Sequence, residues 1–260
     1  MGEAKNLVRK QFAAAGDAYV RSAGHASAAD LQRMVDLASP AGDEVMLDIA
    51  TGGGHVARVF SPHVARVIAS DLTPEILSHA REAFHEWELA NVEVAVADAE
   101  KLPFDDASFD LVTCRIAPHH FPEPEKFIAE VARVLKPGGQ FLLIDSTVPE
   151  GDDGAFFNRI EAIRDPSHIR SLTKEAWISL IEQHGLRINH AESFRKRHDF
   201  QDWVTRSRTN EARRAELERL FNSATPAQRA LFEIEFAGKD EGSVVGFADT
   251  KTLFHAVAGG

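Results

Sequence analysis

The stretch Val45-Met46-Leu47-Asp48-Ile49-Ala50-Thr51-Gly52-Gly53-Gly54-His55 decides the fold. An apolar run ends in an acid, three glycines follow, and a helical pattern begins near His55. That order predicts a buried strand, a tight turn and a helix N-terminus. Glycine permits positive φ and close approach, so the turn is built to bring backbone against a ligand.

The same grammar repeats outward. Ala65 to Asp71 predicts a second strand ending in an acid, and Val92 to Ala97 a third, followed by Asp98. Phe109 to Cys114 and Gln140 to Asp145 predict the fourth and fifth. Between them Thr73-Pro74-Glu75 opens a helix, with Thr as cap and Pro at the first helical position. Ile76, Leu77, Ala80, Phe84 and Trp87 share its apolar face. A helix through Phe127, Ile128, Val131 and Leu135 is expected to stop at Lys136-Pro137-Gly138-Gly139. Strands alternating with helices imply an α/β fold with a mostly parallel sheet and helical cap elements.

The flanks are less regular. Lys5 to Ala38 reads as helical, with Leu31, Met34, Val35 and Ala38 on one face and Ser27 or Asp30 as caps. Gly151 to Gly154 reads as a loop, Thr173 to Gly185 as a helix, Leu186 to Phe194 as strand six and Thr250 to Ala258 as strand seven. The expected organisation is one domain over 1–260: an N-terminal helical lid over 1–40, a ligand-binding core over 41–150, and substrate-side elements over 151–260 with a helical insertion at about 199–238.

Bulk properties narrow the function. With 260 residues, 44% hydrophobic and 27% charged, the chain can bury a sizeable core. A net charge of −11 disfavours a nucleic-acid partner. One cysteine, Cys114, excludes an intrachain disulfide and reads as a core residue. No apolar run approaches the ~20 residues of a membrane span, and no leader pattern is evident, so the expectation is a soluble cytoplasmic protein. Histidines lack metal-site spacing, so no metal is expected.

Ligands of open α/β sheets sit at the carboxyl ends of the strands. Asp48, Asp71 and Asp98 collect there, with Cys114-Arg115-Ile116-Ala117. Gly52-x-Gly54-x-x-Ala57 also fits the dinucleotide pattern, with Asp71 near the spacing of a ribose-binding acid. Against a nicotinamide cofactor stand Asp48, which would face a pyrophosphate, the extra acid Asp98, and the lack of placeable dehydrogenase residues.

Five segments in order carry a family resemblance: Asp48-Ile-Ala-Thr-Gly-Gly-Gly, Asp71-Leu72-Thr73-Pro74, Asp98-Ala99-Glu100-Lys101-Leu102-Pro103-Phe104, Ser108-Phe-Asp110-Leu-Val and Leu135-Lys-Pro-Gly-Gly. Together they resemble class I methyltransferases dependent on S-adenosylmethionine. Within these they are similar to the type 11 domain of ubiquinone and menaquinone biosynthesis C-methyltransferases. The match covers roughly residues 45–145, and the stretch Phe12 to Asp30 also resembles that group. Ala50 stands where the usual first glycine would be. The resemblance implies the Rossmann-like, doubly wound, seven-stranded form of the α/β fold, with the last strand antiparallel, and S-adenosylmethionine as cofactor. Asp48 and the backbone of Ala50, Thr51, Gly52 and Gly54 would hold its methionine part, and Asp71 its ribose. Leu72 would pack on the adenine, and Asp98 with the Ala99 backbone would read its amino edge. Arg115 and Ile116 would lie by the methionine end, and Tyr19 would close over it.

The acceptor is expected to be a small molecule, quinone-like or a secondary metabolite, methylated on carbon, oxygen or nitrogen. His119, His120 and His168 are the candidate bases. Tyr19, His119, Asp145, Arg164, His168 and Arg170 are candidate acceptor contacts, from their places after strands four and five and on the lid. Phe156, Phe157, Ile160, Trp203, Phe221 and Phe232 would line a hydrophobic pocket or form a small core. Monomer and homodimer both remain open.

Overall fold

The computed structural model describes Gly2 and residues 5–9, 28–238 and 242–259. Tyr19 and the rest of the Phe12 to Ser22 stretch lie outside these residues. Residues 5–9 are helical. The elements that follow are α1 (Ala28–Ala38), β1 (Val45–Ile49), α2 (His55–Phe60), β2 (Arg66–Asp71), α3 (Pro74–Glu86), β3 (Val92–Val96), β4 (Phe109–Arg115), α4 (Pro124–Val134) and β5 (Leu135–Thr147). Then come α5 (Gly151–Arg164), α6 (Lys174–Gln183), β6 (Leu186–Asp199), α7 (Phe200–Arg206), α8 (Glu211–Asn222), α9 (Pro226–Leu231), β7 (Glu235–Phe236) and β8 (Val244–Ala258).

The sheet runs β3-β2-β1-β4-β5-β8-β6, and the two-residue β7 also pairs with β8. The first five strands are parallel. β8 enters antiparallel between β5 and β6. β1 therefore sits beside β2 and β4, where the strand order reverses, so its carboxyl end faces the crevice that open sheets use for ligands.

Alternation along each strand divides two cores. Met46, Val67, Leu111 and Leu142 face α1, α2 and α3, where Met34, Phe60 and Phe84 are buried. Leu47, Val112, Phe141 and Phe254 face α4 and α6, where Phe127 and Trp177 are buried. A strand buried on both faces reads as an unbroken apolar run, which is why β1 is legible as a single block.

Three expectations need correction. The helix does stop at Lys136-Pro137-Gly138-Gly139, with Leu135 as its C-cap, but strand five starts before these residues and not after them. α4 ends at Val134, and these residues belong to β5 as a bulge: Phe109 pairs with Leu135, and Leu111 next with Gln140. Gly138 supplies the positive φ of 77° that the bulge requires. Gly151 to Gly154 is the first turn of α5 and not a loop. Asp152 and Asp153 there complement the helix dipole, and Gly154 lies so close to the Pro149 carbonyl that a Cβ would meet it at 2.1 Å. Thr73 stands at the N-cap of α3 as expected but makes no side-chain capping bond; its amide donates to Asp71 Oδ1 at 2.9 Å and its side chain also bonds Asp71. Strands six and seven are also longer than expected, since each continues past the main sheet to pair with the other.

The six apolar residues beyond β5 form a closed core. Phe157, Ile160, Trp203, Phe221 and Phe232 are buried together with Phe200 and Phe247, and Phe156 packs against them. The helices of residues 199–238 thus cover the extended ends of β6 and β8.

Candidate active site

At the carboxyl ends of β1, β2 and β4 lies one cavity. Asp48, Ala50, Thr51, Gly52, Asp71, Leu72, Asp98, Ala99, Arg115 and Ile116 all line it. Convergence follows from topology: each expected residue ends or follows one of four parallel strands.

The turn is held by its own acids. Asp48 is buried, and both its oxygens accept hydroxyl donors: Thr51 at 2.6 Å and Thr113 at 2.8 Å. Burial pushes its carboxyl up to about 6, against the pull of those two bonds. Asp71 accepts the Gly52 amide at 3.2 Å and the Thr73 amide at 2.9 Å, and burial again raises it to about 6. Ala50 carries a φ of 54° and Gly52 one of 53°. A Cβ on Gly52 would meet nothing within 4 Å, so the glycine leaves its space to the cavity it lines. Gly54 does not line the cavity. It caps α2 at φ 80°, and a Cβ there would strike Phe84 at 2.2 Å. Its role is to let the turn pack on α3.

Arg115, at the end of β4, is buried and donates from Nε and Nη2 to Asp30 Oδ2 at 3.0 and 2.6 Å. The expected cap Asp30 thus ties α1 to the cavity floor. Lys5, which the sequence did not single out, also lines the cavity. Its ammonium lies 2.6 Å from Asp98 and 2.5 Å from Glu100. Glu100 in turn accepts the Glu123 amide, which fastens the loop after β4 to the cavity rim.

The histidines gather beside this cavity. His120 lines it, with Nδ1 donating to the Ser167 carbonyl at 3.0 Å. His119 lies behind, its ring centroid 4.2 Å from that of His120 and 5.5 Å from that of His168. His119 Nδ1 is 2.6 Å from Asp145 Oδ1, and both residues are buried. Burial holds His119 well below its ordinary range, and the neighbouring His120 and Lys251 add to this. Burial pushes Asp145 up to about 6, while Lys251 pulls it down. At neutral pH the pair is a carboxylate facing a neutral imidazole that donates from Nδ1. His168 donates from Nε2 to Asn158 and is pushed down to about 3 by burial.

Two expected contacts lie apart. Arg164 donates to Ser207 and Glu161 and lies 4.8 Å over the Trp203 ring, so it braces the cap. Arg170 lines a second groove with Pro118, Phe121 and Trp177. Cys114 is a buried core residue whose thiol is raised well above its ordinary value, which leaves no thiolate for nucleophilic work. Among the described residues no group of three potential ligands could hold a metal, and no helix is long and apolar enough to cross a membrane.

The donor set fits S-adenosylmethionine. The cavity offers carboxylates for hydroxyls, an amine and a positive charge, with a glycine backbone that clears room for them. A pyrophosphate would instead meet Asp48, Asp71 and Asp98.

Comparison with known proteins agrees. Residues 47–143 match the methyltransferase domain family. An uncharacterized methyltransferase, YcgJ, of Bacillus subtilis is 35% identical over 204 residues, 78% of this chain and 81% of that one. The crystal structure of YcgJ covers 89% of this chain and 99% of its own at a TM-score of 0.86, with 32% identity. The demethylmenaquinone methyltransferase of Thermus thermophilus is 37% identical over 127 residues, 48% of this chain and 56% of that one. The chain belongs to the S-adenosylmethionine-dependent methyltransferases of this domain family.

Proposed function

We propose that the protein methylates a small-molecule acceptor bound beside the carboxyl ends of β4 and β5, with His119 as general base. The observation that carries this reading is the His119–Asp145 pair at 2.6 Å, adjacent to His120 on the wall of the cofactor cavity. S-adenosylmethionine supplies an activated methyl group, so the protein's work is to position the partners and manage a proton. Asp71, Asp98 and the backbone of the glycine turn that Asp48 shapes would hold the donor, with Arg115 and Ile116 toward its methionine end. His119, neutral at Nε2, would take a proton from an O–H, N–H or C–H acid, and Asp145 would balance the imidazolium.

A quinone-like acceptor is supported only through the donor core. The match to demethylmenaquinone methyltransferases covers about half of each chain. The aromatic residues that would have lined a hydrophobic pocket are consumed in the cap core. The better-supported class is a small acidic acceptor.

The test begins with thermal shift. S-adenosylhomocysteine should raise the melting temperature and NAD should not. Methyl release from S-adenosylmethionine is then followed over a panel of phenols, amines and carbon acids, with His119→Gln as comparison. Stabilisation by NAD alone would overturn the donor assignment. Undiminished turnover in His119→Gln would overturn the base.

A further inference from the structure

The helical residues 5–9 form part of the wall of the cofactor cavity. Lys5 and Val8, three apart and so on one face of that helix, both line it, together with Leu72, Asp98, Ala99 and Glu100. Lys5 Nζ lies 2.6 Å from Asp98 Oδ2 and 2.5 Å from Glu100 Oε2. The bridge to Glu100 is not a solvated surface pair, since 18% of the Lys5 side chain and 3% of the Glu100 side chain are exposed. Surface ion pairs hold little, whereas a buried carboxylate that loses its cation is strongly destabilised. The acids are also two residues apart, so each repels the other unless a cation joins them. Both are fixed from elsewhere. Asp98 Oδ1 accepts the Glu100 amide at 3.0 Å, and Glu100 Oε1 accepts the amide of Glu123, the N-cap of α4, at 2.6 Å. The acids belong to the core of the fold, and the ammonium reaches them from the far N-terminal end of the chain. What the bridge secures is therefore the helix of Lys5 and Val8.

We propose that Lys5 is an ionic latch on the cofactor: its ammonium, held between Asp98 and Glu100, closes the helix of residues 5–9 against the bound cofactor, and opening of this bridge sets the rate at which the cofactor leaves. The latch rests on S-adenosylmethionine occupying this cavity and is independent of the base reading of His119. Two acids serve it better than one. An adenine amino group that bonds Asp98 shares that carboxylate with Lys5, and a carboxylate oxygen can accept a second donor. Glu100 keeps its grip on the ammonium meanwhile, because its other oxygen is already taken by the Glu123 amide. Val8 adds an apolar contact on the ligand side of the same helix face. An ammonium that competed with the cofactor for Asp98 would act with the opposite sign.

The test is surface plasmon resonance of S-adenosylhomocysteine over the full chain, immobilised through its C-terminus, which reads association and release separately. Lys5→Met removes the ammonium and keeps an unbranched side chain. Release should become about tenfold faster and affinity should fall in step, because losses of this kind appear mainly in the off-rate. Lys5→Arg should release at close to the wild-type rate. Glu100→Gln should behave as Lys5→Met does, and the double variant should be no worse than either single one, because all three remove one and the same bridge. Trypsin reads the helix itself. Saturating S-adenosylhomocysteine should protect the bond after Arg9 in the wild type and leave it open to cleavage in Lys5→Met. Unchanged release in Lys5→Met, or losses in Lys5→Met and Glu100→Gln that add, overturn the latch. Tighter binding in Lys5→Met overturns it too and makes Lys5 a competitor of the cofactor. A wild-type chain that S-adenosylhomocysteine does not bind would overturn the donor site itself, and the latch with it.

Discussion

Thr113 donates to Asp48 across the β1–β4 pair, Oγ1 to Oδ1 at 2.8 Å, in register. The acid that ends β1 is thus satisfied from the neighbouring strand and, through Thr51, from its own turn. Its carboxylate shapes the glycine turn from beneath, and the backbone of that turn is left to face the cofactor. Thr113→Val keeps the shape and removes the donor. The buried oxygen then loses a charge-assisted bond, worth about 1–3 kcal/mol. Urea unfolding should show that loss, and calorimetry should show S-adenosylhomocysteine binding weakened about tenfold. No change in either would mean that Asp48 does not depend on β4.

Asp48 and Asp71 also predict a pH dependence. Both are raised by burial to about 6. Between pH ~4 and 6 these two sites bind more protons in the folded chain than in the unfolded one. These two acids therefore favour the fold at low pH, and that contribution is lost as pH rises through about 6. A cationic ligand reverses the preference, because it stabilises the carboxylates. S-adenosylmethionine carries a sulfonium charge that S-adenosylhomocysteine lacks. Its affinity should fall more steeply from pH 7 to pH 5, by about tenfold relative to the product. Calorimetry at pH 5.5 in buffers of different ionisation enthalpy should detect proton release on binding the sulfonium. Equal pH profiles for the two ligands would refute the assignment.

The glycines of the turn separate binding from folding. Gly52 lines the cavity at φ 53° with open space around its missing Cβ. Gly52→Ala should cost about 1 kcal/mol of stability through left-handed backbone, and remove most ligand binding by filling the site. Gly54 is set back from the cavity, and its missing Cβ would sit 2.2 Å from Phe84. Gly54→Ala adds a clash to the strain and should cost about 3 kcal/mol. Denaturant midpoints and S-adenosylhomocysteine titrations on both variants would show whether the two losses divide in this way.

What was legible in the chain follows from where its contacts run. The apolar blocks ending at Asp48 and Asp71 were readable because a doubly covered parallel sheet buries both faces and aligns its ligand-facing ends, whereas the edge strand before Asp98 is only partly buried. Local grammar misled where tertiary pairing overrode it. Lys136-Pro-Gly-Gly ends α4 as its composition suggests, yet it is no free connection, because β4 draws it into a bulge of β5. Gly151 to Gly154 has the composition of a loop, yet two acids start a helix there. His119 is a candidate base and Asp145 a candidate acceptor contact in the sequence, but nothing local joins residues 26 apart. Lys251 and Ser146 are separated by 105 positions, and only the antiparallel insertion of β8 brings them together. Lys5 meets Asp98 across 93 positions, with no pattern at either end to announce it.

Trp203 tests whether the cap is core or pocket. Its ring lies edge-on to Phe247 at 4.8 Å and to Phe221 at 6.4 Å, and the Arg164 guanidinium covers it at 4.8 Å. Only 1% of it is exposed, so it has no face to offer a ligand. Truncating a buried tryptophan leaves a large void that neighbouring rings cannot close, at a cost of about 3–5 kcal/mol. Trp203→Ala should therefore lower the unfolding midpoint strongly while S-adenosylhomocysteine affinity, set at the far ends of β1 and β2, stays near wild type. A pocket role would give the reverse: little loss of stability and a lasting loss of acceptor turnover. Urea unfolding followed beside a binding titration distinguishes them, and a stability loss below about 1 kcal/mol would place Trp203 on a ligand surface after all.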